Sequence, residues 1–221
     1  MSALALRRAA WTHPELAAAA ASAAAWALLA GHALQPPHGA EPFVAGLSAW
    51  VVMTVAMMIP GTLADLRSVA LSSLWRRRQR TIVLFLGAYL SAWVGFGAVA
   101  LAVVPAVGLG VGGLLAGAAA WELTAWKWRA VRRCHLIEPL PPRGRRADLA
   151  CAAAGYRYAG SCLLSCWPMM LAMAAAGHRA LALMVVLAGV ATAEKLVVRS
   201  ARLRAPAAAL LAGAAVVAVL A

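Results

Sequence analysis

The amino-acid sequence predicts an all-α polytopic transmembrane bundle of about seven helices. Of its 221 residues, 64% are hydrophobic and only 12% are charged, which lies outside the range of soluble globular domains. Several windows of about 20 residues, the length that crosses a bilayer as a helix, carry one charge or none. Their apolar residues form continuous runs instead of alternating, so helices are predicted and barrel strands are excluded.

Seven apolar runs are separated by charged or Gly- and Pro-containing connections. They cover residues 15–34, 44–64, 81–104, 107–126, 158–176, 180–198 and 206–221. The first run follows two arginines, as the core of a secretory signal does. It is long for a signal and contains Glu15 and Trp26, so we expect it to be retained as the first helix.

The Lys and Arg residues alternate between connections, and this alternation predicts the orientation. Of the 20 Lys and Arg residues, 19 lie in the N-terminal segment, in the connections after the second, fourth and sixth runs, or, as Lys195 does, at the end of the sixth run; only Arg179 falls on the other side. The positive-inside rule then puts the N-terminus in the cytoplasm and the C-terminus outside. We therefore expect anionic lipid headgroups, and not nucleic acid, to be the partners of this net charge of +13.

No soluble domain is visible between the runs. Residues 1–221 are therefore expected to form a single integral domain in the inner cell membrane. The longest polar connection runs from about Lys127 to Arg157. Prolines at 139, 141 and 142 exclude a continuous helix across it.

Two carboxylates lie inside predicted spans, where ionisable side chains are costly and are often functional. Glu122 lies near the cytoplasmic end of the fourth span, and Glu194 lies near the same end of the sixth. Either side chain can instead reach the interface or pair with a loop arginine. We expect Glu122 to face the bundle interior, and Trp126 and Trp128 to lie at the inner membrane interface.

The most specific constellation is a pair of cysteines in the fifth span. Cys162 and Cys166 are four residues apart, so their sulfurs share one face of a helix. At about 1.5 Å per residue, they lie at the same depth as Met57 and Met58 of the second span and as both glutamates. Thiolates and thioethers suit a soft cation such as Cu(I). The alternative is that small-residue packing explains the spacing.

A further cysteine and histidine follow the fourth span in the inner connection. Cys134 and His135 would be placed to deliver or cap an ion, although solvated loop residues need no such role. Cys151 is isolated and is expected to have no function. All four cysteines are predicted on or near the cytoplasmic side, where thiols stay reduced, so structural disulfides are not expected.

Several segments occur together in an order that is more specific than any one of them. They are residues 49–60, Gly87-Ala88-Tyr89 with Trp93, residues 123–127, Cys134-His135, the Cys162…Cys166-Trp167 element and Glu194-Lys195. The set resembles a bacterial family of predicted metal-binding integral membrane proteins, domain of unknown function 2182. The resemblance covers about residues 50–196, leaves the first and last helices outside it, and implies metal binding in the membrane.

The chain departs from that family's pattern at two positions. The family usually has two cysteines after the fourth span, and here the first position is Ala130, which leaves Cys134. It often has adjacent cysteines before the tryptophan, where this chain has Ser165-Cys166. The chain therefore carries two thiols fewer than the family it resembles.

We expect a multi-pass inner-membrane protein that binds or handles a soft transition metal, preferentially Cu(I), in the cytoplasmic half of its bundle. The expected ligands are Met57, Met58, Glu122, Cys134, His135, Cys162, Cys166 and Glu194. The partner would be a metal donor or acceptor, or a membrane complex.

Two alternative functions remain open. The chain could be a non-catalytic assembly partner of another membrane complex, or a membrane thiol oxidoreductase that uses Cys162 and Cys166. The CxxxC spacing differs from the CxxC of common oxidoreductases. No P-loop, CxxCH or HExxH motif occurs. We therefore expect neither catalytic residues nor ATP-driven transport by this chain alone.

Overall fold

The computed structural model describes residues 12–34, 43–134, 136, 140–141, 143–177, 180–197 and 200–220. These residues form nine α-helices and no strand, which confirms the all-α class. The helices are α1 (Leu16–Ala33), α2 (Phe43–Met58), α3 (Leu63–Leu71), α4 (Arg78–Val107), α5 (Val111–Glu122), α6 (Ala125–Cys134), α7 (Gly144–Ala176), α8 (Leu181–Leu196) and α9 (Arg204–Leu220). Short 3-10 turns at Pro60–Thr62, Trp75–Arg77 and Ser200–Leu203 precede α3, α4 and α9.

Every predicted span contains a helix, but the helices differ in length. Three are long and apolar enough to cross a membrane: α1, α4 together with its preceding turn, and α7. The bent pair of α2 with α3 makes a fourth if it counts as one span. By contrast, α5, α8 and α9 have 12, 16 and 17 residues, fewer than the roughly 20 of a typical span.

The break between α2 and α3 follows from one proline. Pro60 has no N–H to donate, and its ring cannot continue the helix past the preceding turn. The chain makes a 3-10 turn instead, in which the backbone N–H and the hydroxyl of Thr62 each donate to the Ile59 carbonyl at 2.8 Å. The two helices meet at 49°. Asp65 of α3 then accepts a hydrogen bond from the Tyr158 hydroxyl of α7 at 2.8 Å.

The helix α7 lies at the centre of the bundle. Its most extensive packing is against α4, and α5 and α6 also pack on it. Glycine at 155 permits the close approach to α4, because a Cβ there would lie 2.5 Å from the Phe85 carbonyl oxygen. Around this centre, α1 packs on α2, α2 on α4, and α9 on α5.

Polar contacts bring several helix ends to the same end of the bundle. Arg67 of α3 lies 3.5 Å from Glu15, just before α1. At the start of α7, Asp148 accepts hydrogen bonds from Arg77 and, at 2.7 Å, from Arg80 at the start of α4. The basic segments before α4 and α7 are therefore neighbours in space, as their assignment to one side of a membrane requires.

The connection after the fourth predicted span is more helical than the sequence indicated. Residues 125–134 form α6, and α7 already begins at Gly144. Arg157 therefore lies within a helix and not in a loop. Pro141 lies between these two helices, so the prolines interrupt the helix over a shorter stretch than expected.

Candidate metal centre

The cysteine pair of α7 lies in the interior of the bundle. Cys162 and Cys166 are exposed by 0% and 1%, and both are free thiols. They lie four residues apart on α7, so their side chains share one face of the helix. The intervening Ser165 donates its hydroxyl to the Cys162 carbonyl at 2.8 Å and lies 3.3 Å from the Cys166 sulfur. The spacing thus produces two adjacent, buried and reduced sulfur atoms.

A buried lysine stands beside this pair. The Nζ of Lys195, on α8, donates to the Sγ of Cys162 at 3.0 Å. The Tyr89 hydroxyl of α4 lies 3.2 Å from the same sulfur, and the ring of Tyr158 lies 5.7 Å from Nζ. Positive charge therefore lies where a metal–thiolate unit would carry negative charge.

A second buried lysine joins the two predicted carboxylates. The Nζ of Lys127, on α6, contacts Glu122 of α5 and lies 2.9 Å from Oε1 of Glu194 on α8. Burial alone would lower the pKa of Lys127, but the charges of Glu194 and Glu122 outweigh burial and raise that pKa above its ordinary value. The lysine is therefore charged, and the three side chains tie three helices together.

The thiol pair and the carboxylates belong to one buried region. Glu194 and Lys195 are consecutive on α8, and they contact Lys127 and Cys162 respectively. Lys127 also interacts electrostatically with Cys166. The structure thus brings together side chains from α5, α7 and α8 that the sequence placed at one depth, and it adds Lys127 from α6.

Cys134 also lies in this region. It ends α6, is fully buried, and interacts electrostatically with Cys162, Cys166 and Lys195. The sequence placed it in a solvated connection, and that placement is wrong. Burial raises the pKa of the Cys134 thiol to about 12, so this thiol is protonated at neutral pH. His135 lies outside the described residues.

The methionine pair approaches the same region from α2. Met57 and Met58 are both buried and end that helix. In the turn that follows, Gly61 packs against Lys195, where a Cβ would lie 3.0 Å from the lysine Cδ. The end of α2 is therefore next to the lysine that contacts the thiol pair.

Residues 47–218 match the family described as "PpoB2: Copper chaperone". The match covers more than half of the chain and extends through most of α9, so the expectation that the last helix lies outside the family is wrong. The chain belongs to this copper chaperone family. The metal-related family expected from the sequence is thereby confirmed. The chain matches no curated protein and no solved structure.

In a copper chaperone family, copper is the cargo and not a resident cofactor. In the part of the chain that the structure describes, no group of three or more His, Cys, Asp or Glu side chains is arranged to hold a metal ion. Cu(I) is a soft ion that a pair of sulfur ligands can hold. Cys162 and Cys166 supply such a pair.

Neither lysine of this buried region was predicted from the sequence. The charge pattern placed Lys127 and Lys195 among the solvated charges of the connections, whereas both are buried. The contacting residues Tyr89, Tyr158 and Asp65 were not singled out as site residues either.

The signal that reveals Lys127 is the periodicity of α6. Its buried positions include 127, 131 and 134, the i, i+4 and i+7 spacing of one helix face. Trp128 lies on the same side, buried, and donates to the Glu122 carbonyl at 2.7 Å. Trp128 is therefore packed inside the bundle, whereas Trp126 is exposed. Glu122 faces the interior as predicted.

Proposed function

We propose that this chain is an integral membrane copper chaperone that holds Cu(I) as cargo between Cys162 and Cys166 and passes it to a partner protein. The observation that carries this proposal is the buried pair of free thiols with the Lys195 Nζ 3.0 Å from one sulfur. Cu(I) with two thiolates has a net charge of −1. Such a unit is costly to bury alone, and the adjacent ammonium offsets its charge.

The other residues of the buried region would either complete the metal coordination or position the charged side chains. The candidates for a third soft ligand are Cys134, at the buried end of α6, and the Met57–Met58 pair, because α2 ends just before the Gly61 contact with Lys195. Glu122 and Glu194 hold Lys127 in place. Oε2 of Glu122 has no hydrogen-bond partner among the described residues. Glu122 would contact an ion through this oxygen.

The proposed location is the inner membrane, with the N-terminus and the basic connections in the cytoplasm. Three apolar helices of sufficient length, and a fourth bent pair, support membrane insertion. The alternating charges favour seven spans in this orientation. The thiol region then lies in the cytoplasmic half of the bundle, where thiols remain reduced.

The alternative functions fit the geometry less well. A thiol oxidoreductase would use these cysteines as a redox pair, and the CxxxC spacing of Cys162 and Cys166 differs from the CxxC of common oxidoreductases. A purely structural assembly partner would not require two buried lysines, since buried charges are costly and well-packed apolar residues often replace them without loss of stability.

The deciding experiment is a Cu(I) titration of the purified protein in nanodiscs under reducing conditions. The double variant Cys162→Ser and Cys166→Ser should lose stoichiometric Cu(I) binding, measured by competition with a chromophoric Cu(I) chelator. Cys151→Ser is the matched control. Its thiol is also buried on α7, but it lies 3.1 Å from the Thr81 carbonyl, so its loss should not change the stoichiometry.

Unchanged Cu(I) stoichiometry in the double serine variant would contradict the proposal. Circular dichroism and gel filtration of the double variant separate loss of ligands from loss of the fold.

A further inference from the structure

A cavity of about 260 Å³ lies beside the thiol region. It is formed between α4, α6 and α7, and its walls include Phe85, Arg133, Arg157, Tyr158 and Ser161. The aromatic part is stacked, with the rings of Phe85 and Tyr158 5.5 Å apart. The cavity is thus partly apolar, with two guanidinium groups among its lining residues.

The lining residues adjoin the site cysteines along the chain. Arg133 immediately precedes Cys134, and Ser161 immediately precedes Cys162. Tyr158 borders the cavity and also contacts Lys195 through its ring. A molecule in this cavity would therefore lie next to the chain segments that carry Cys134 and Cys162.

Charge and volume restrict what the cavity can hold. Both arginines are exposed, and guanidinium groups bind carboxylates in a bidentate geometry. The volume lies just below the usual range of small-molecule pockets and is far too small for a folded domain. In a reducing compartment, a soft ion such as Cu(I) is carried by thiolates. A small anionic thiol that carries copper fits the positive charge, the volume and the reducing compartment.

We propose that this cavity seats an anionic low-molecular-weight thiol complex of Cu(I), whose carboxylates bind Arg133 and Arg157, and from which copper passes to a site cysteine. This inference rests on the proposed function and names the donor. The transfer is ligand exchange without oxidation or reduction. A bond from copper to a site sulfur forms as the bond to the carrier sulfur breaks, and the proton of the site thiol passes to the released carrier thiolate.

The test compares copper transfer from an anionic and an esterified carrier. The probes are the Cu(I) complex of glutathione and the Cu(I) complex of glutathione diethyl ester, mixed by stopped flow with the full chain in nanodiscs of neutral lipid. The double variant Arg133→Ala and Arg157→Ala should slow transfer from glutathione by about tenfold or more. It should leave transfer from the ester and the final Cu(I) stoichiometry unchanged.

The double variant Arg129→Ala and Arg132→Ala is the matched control. It removes two positive charges from exposed positions of α6, the helix that carries Arg133, and neither position lines the cavity. This control should therefore retain the wild-type rate with glutathione. Arg157→Glu, with a single exposed substitution, is the second test variant. It should slow transfer from glutathione more than from the ester.

Three outcomes would overturn the inference. They are wild-type rates in the Arg133 and Arg157 variants, equal slowing with both carriers, and equal slowing in the control variant. A further experiment adds anionic lipid to the nanodiscs. If the cavity variants lose lipid binding but keep the wild-type rate of copper transfer, the cavity binds lipid headgroups and the inference is wrong. Loss of binding in the Cys162 and Cys166 variant tests the proposed function separately, because that readout is an equilibrium stoichiometry and not a rate.

Discussion

Lys195 is the residue whose charge bears most directly on the thiol pair. Its ammonium is buried beside Cys162 and would neutralise a copper–thiolate unit. We therefore expect Lys195→Met, which keeps most of the side-chain volume, to lower Cu(I) affinity by about 10- to 100-fold, as loss of an outer partner of a metal ligand typically does. A chelator-competition titration measures this change.

An exposed arginine provides the control for Lys195. Arg145→Met removes one positive charge from the start of α7, at an exposed position, and should leave Cu(I) affinity unchanged. If Lys195→Met binds copper as tightly as the wild type, then the lysine acts in packing alone. Thermal unfolding of both variants shows separately what each costs in stability.

At this scale the sequence predicted some contacts and not others. The four-residue spacing of Cys162 and Cys166 was sufficient to put both sulfurs on one helix face. The partner of the pair was not predictable in the same way, because charge counting assigns any lysine at a span end to the solvent. Lys195 is buried because the turn at Gly61 packs against its aliphatic chain, which is a tertiary contact.

The element on which the site most depends is the short helix α6. It presents Lys127, Trp128 and Cys134 to the interior and directs its arginines outward. Lys127 joins α5 and α8 through their carboxylates. Removing this charge leaves two buried carboxylates uncompensated, so Lys127→Met should destabilise the fold by about 3–5 kcal/mol. Steric-trap or denaturant unfolding in detergent measures the loss.

The ion pair at the start of α4 gives a surface comparison for Lys127. Arg80→Met removes one contact to Asp148 while Arg77 retains another, so its effect should be about 1 kcal/mol or less. Equal losses of unfolding free energy in the two variants would show that the buried Lys127 contacts stabilise the fold no more than a surface ion pair does. Restored stability in a triple variant with Glu122→Gln and Glu194→Gln would show that the unpaired carboxylates cause the loss.

The elements themselves were predicted unevenly. Apolar length located the long helices, but the run 44–64 was predicted as one span across Pro60, where the structure bends by 49° between α2 and α3. The helix α6 was not predicted, because the apolar face that makes it amphipathic includes a lysine. The break before α5 also shortened the fourth predicted span. Gly108 has a φ of +67°, and Gly110 is extended, so α4 ends and α5 begins later than hydropathy alone indicates.

For the whole molecule, the distribution of charge and the positions of the helix ends agree. The starts of α4 and α7 meet through Asp148, and α3 contacts the start of α1 through Arg67. The buried region lies near this end, since Tyr158 of the site also bonds Asp65 of α3. In the proposed function, the side of the membrane on which the basic segments lie would therefore determine the side from which copper reaches the thiols.

We expect this end to be cytoplasmic, and single cysteines in a cysteine-free background test it. The positive-inside rule puts Arg145 in the cytoplasm, whereas Leu109, exposed between α4 and α5, belongs to the opposite side. A membrane-impermeant maleimide should label Leu109→Cys in intact spheroplasts and Arg145→Cys only after permeabilisation. Reversed labelling would put the basic end outside. Because thiols there would meet an oxidising compartment, that result would also remove the reducing conditions on which Cu(I) capture by free Cys162 and Cys166 depends.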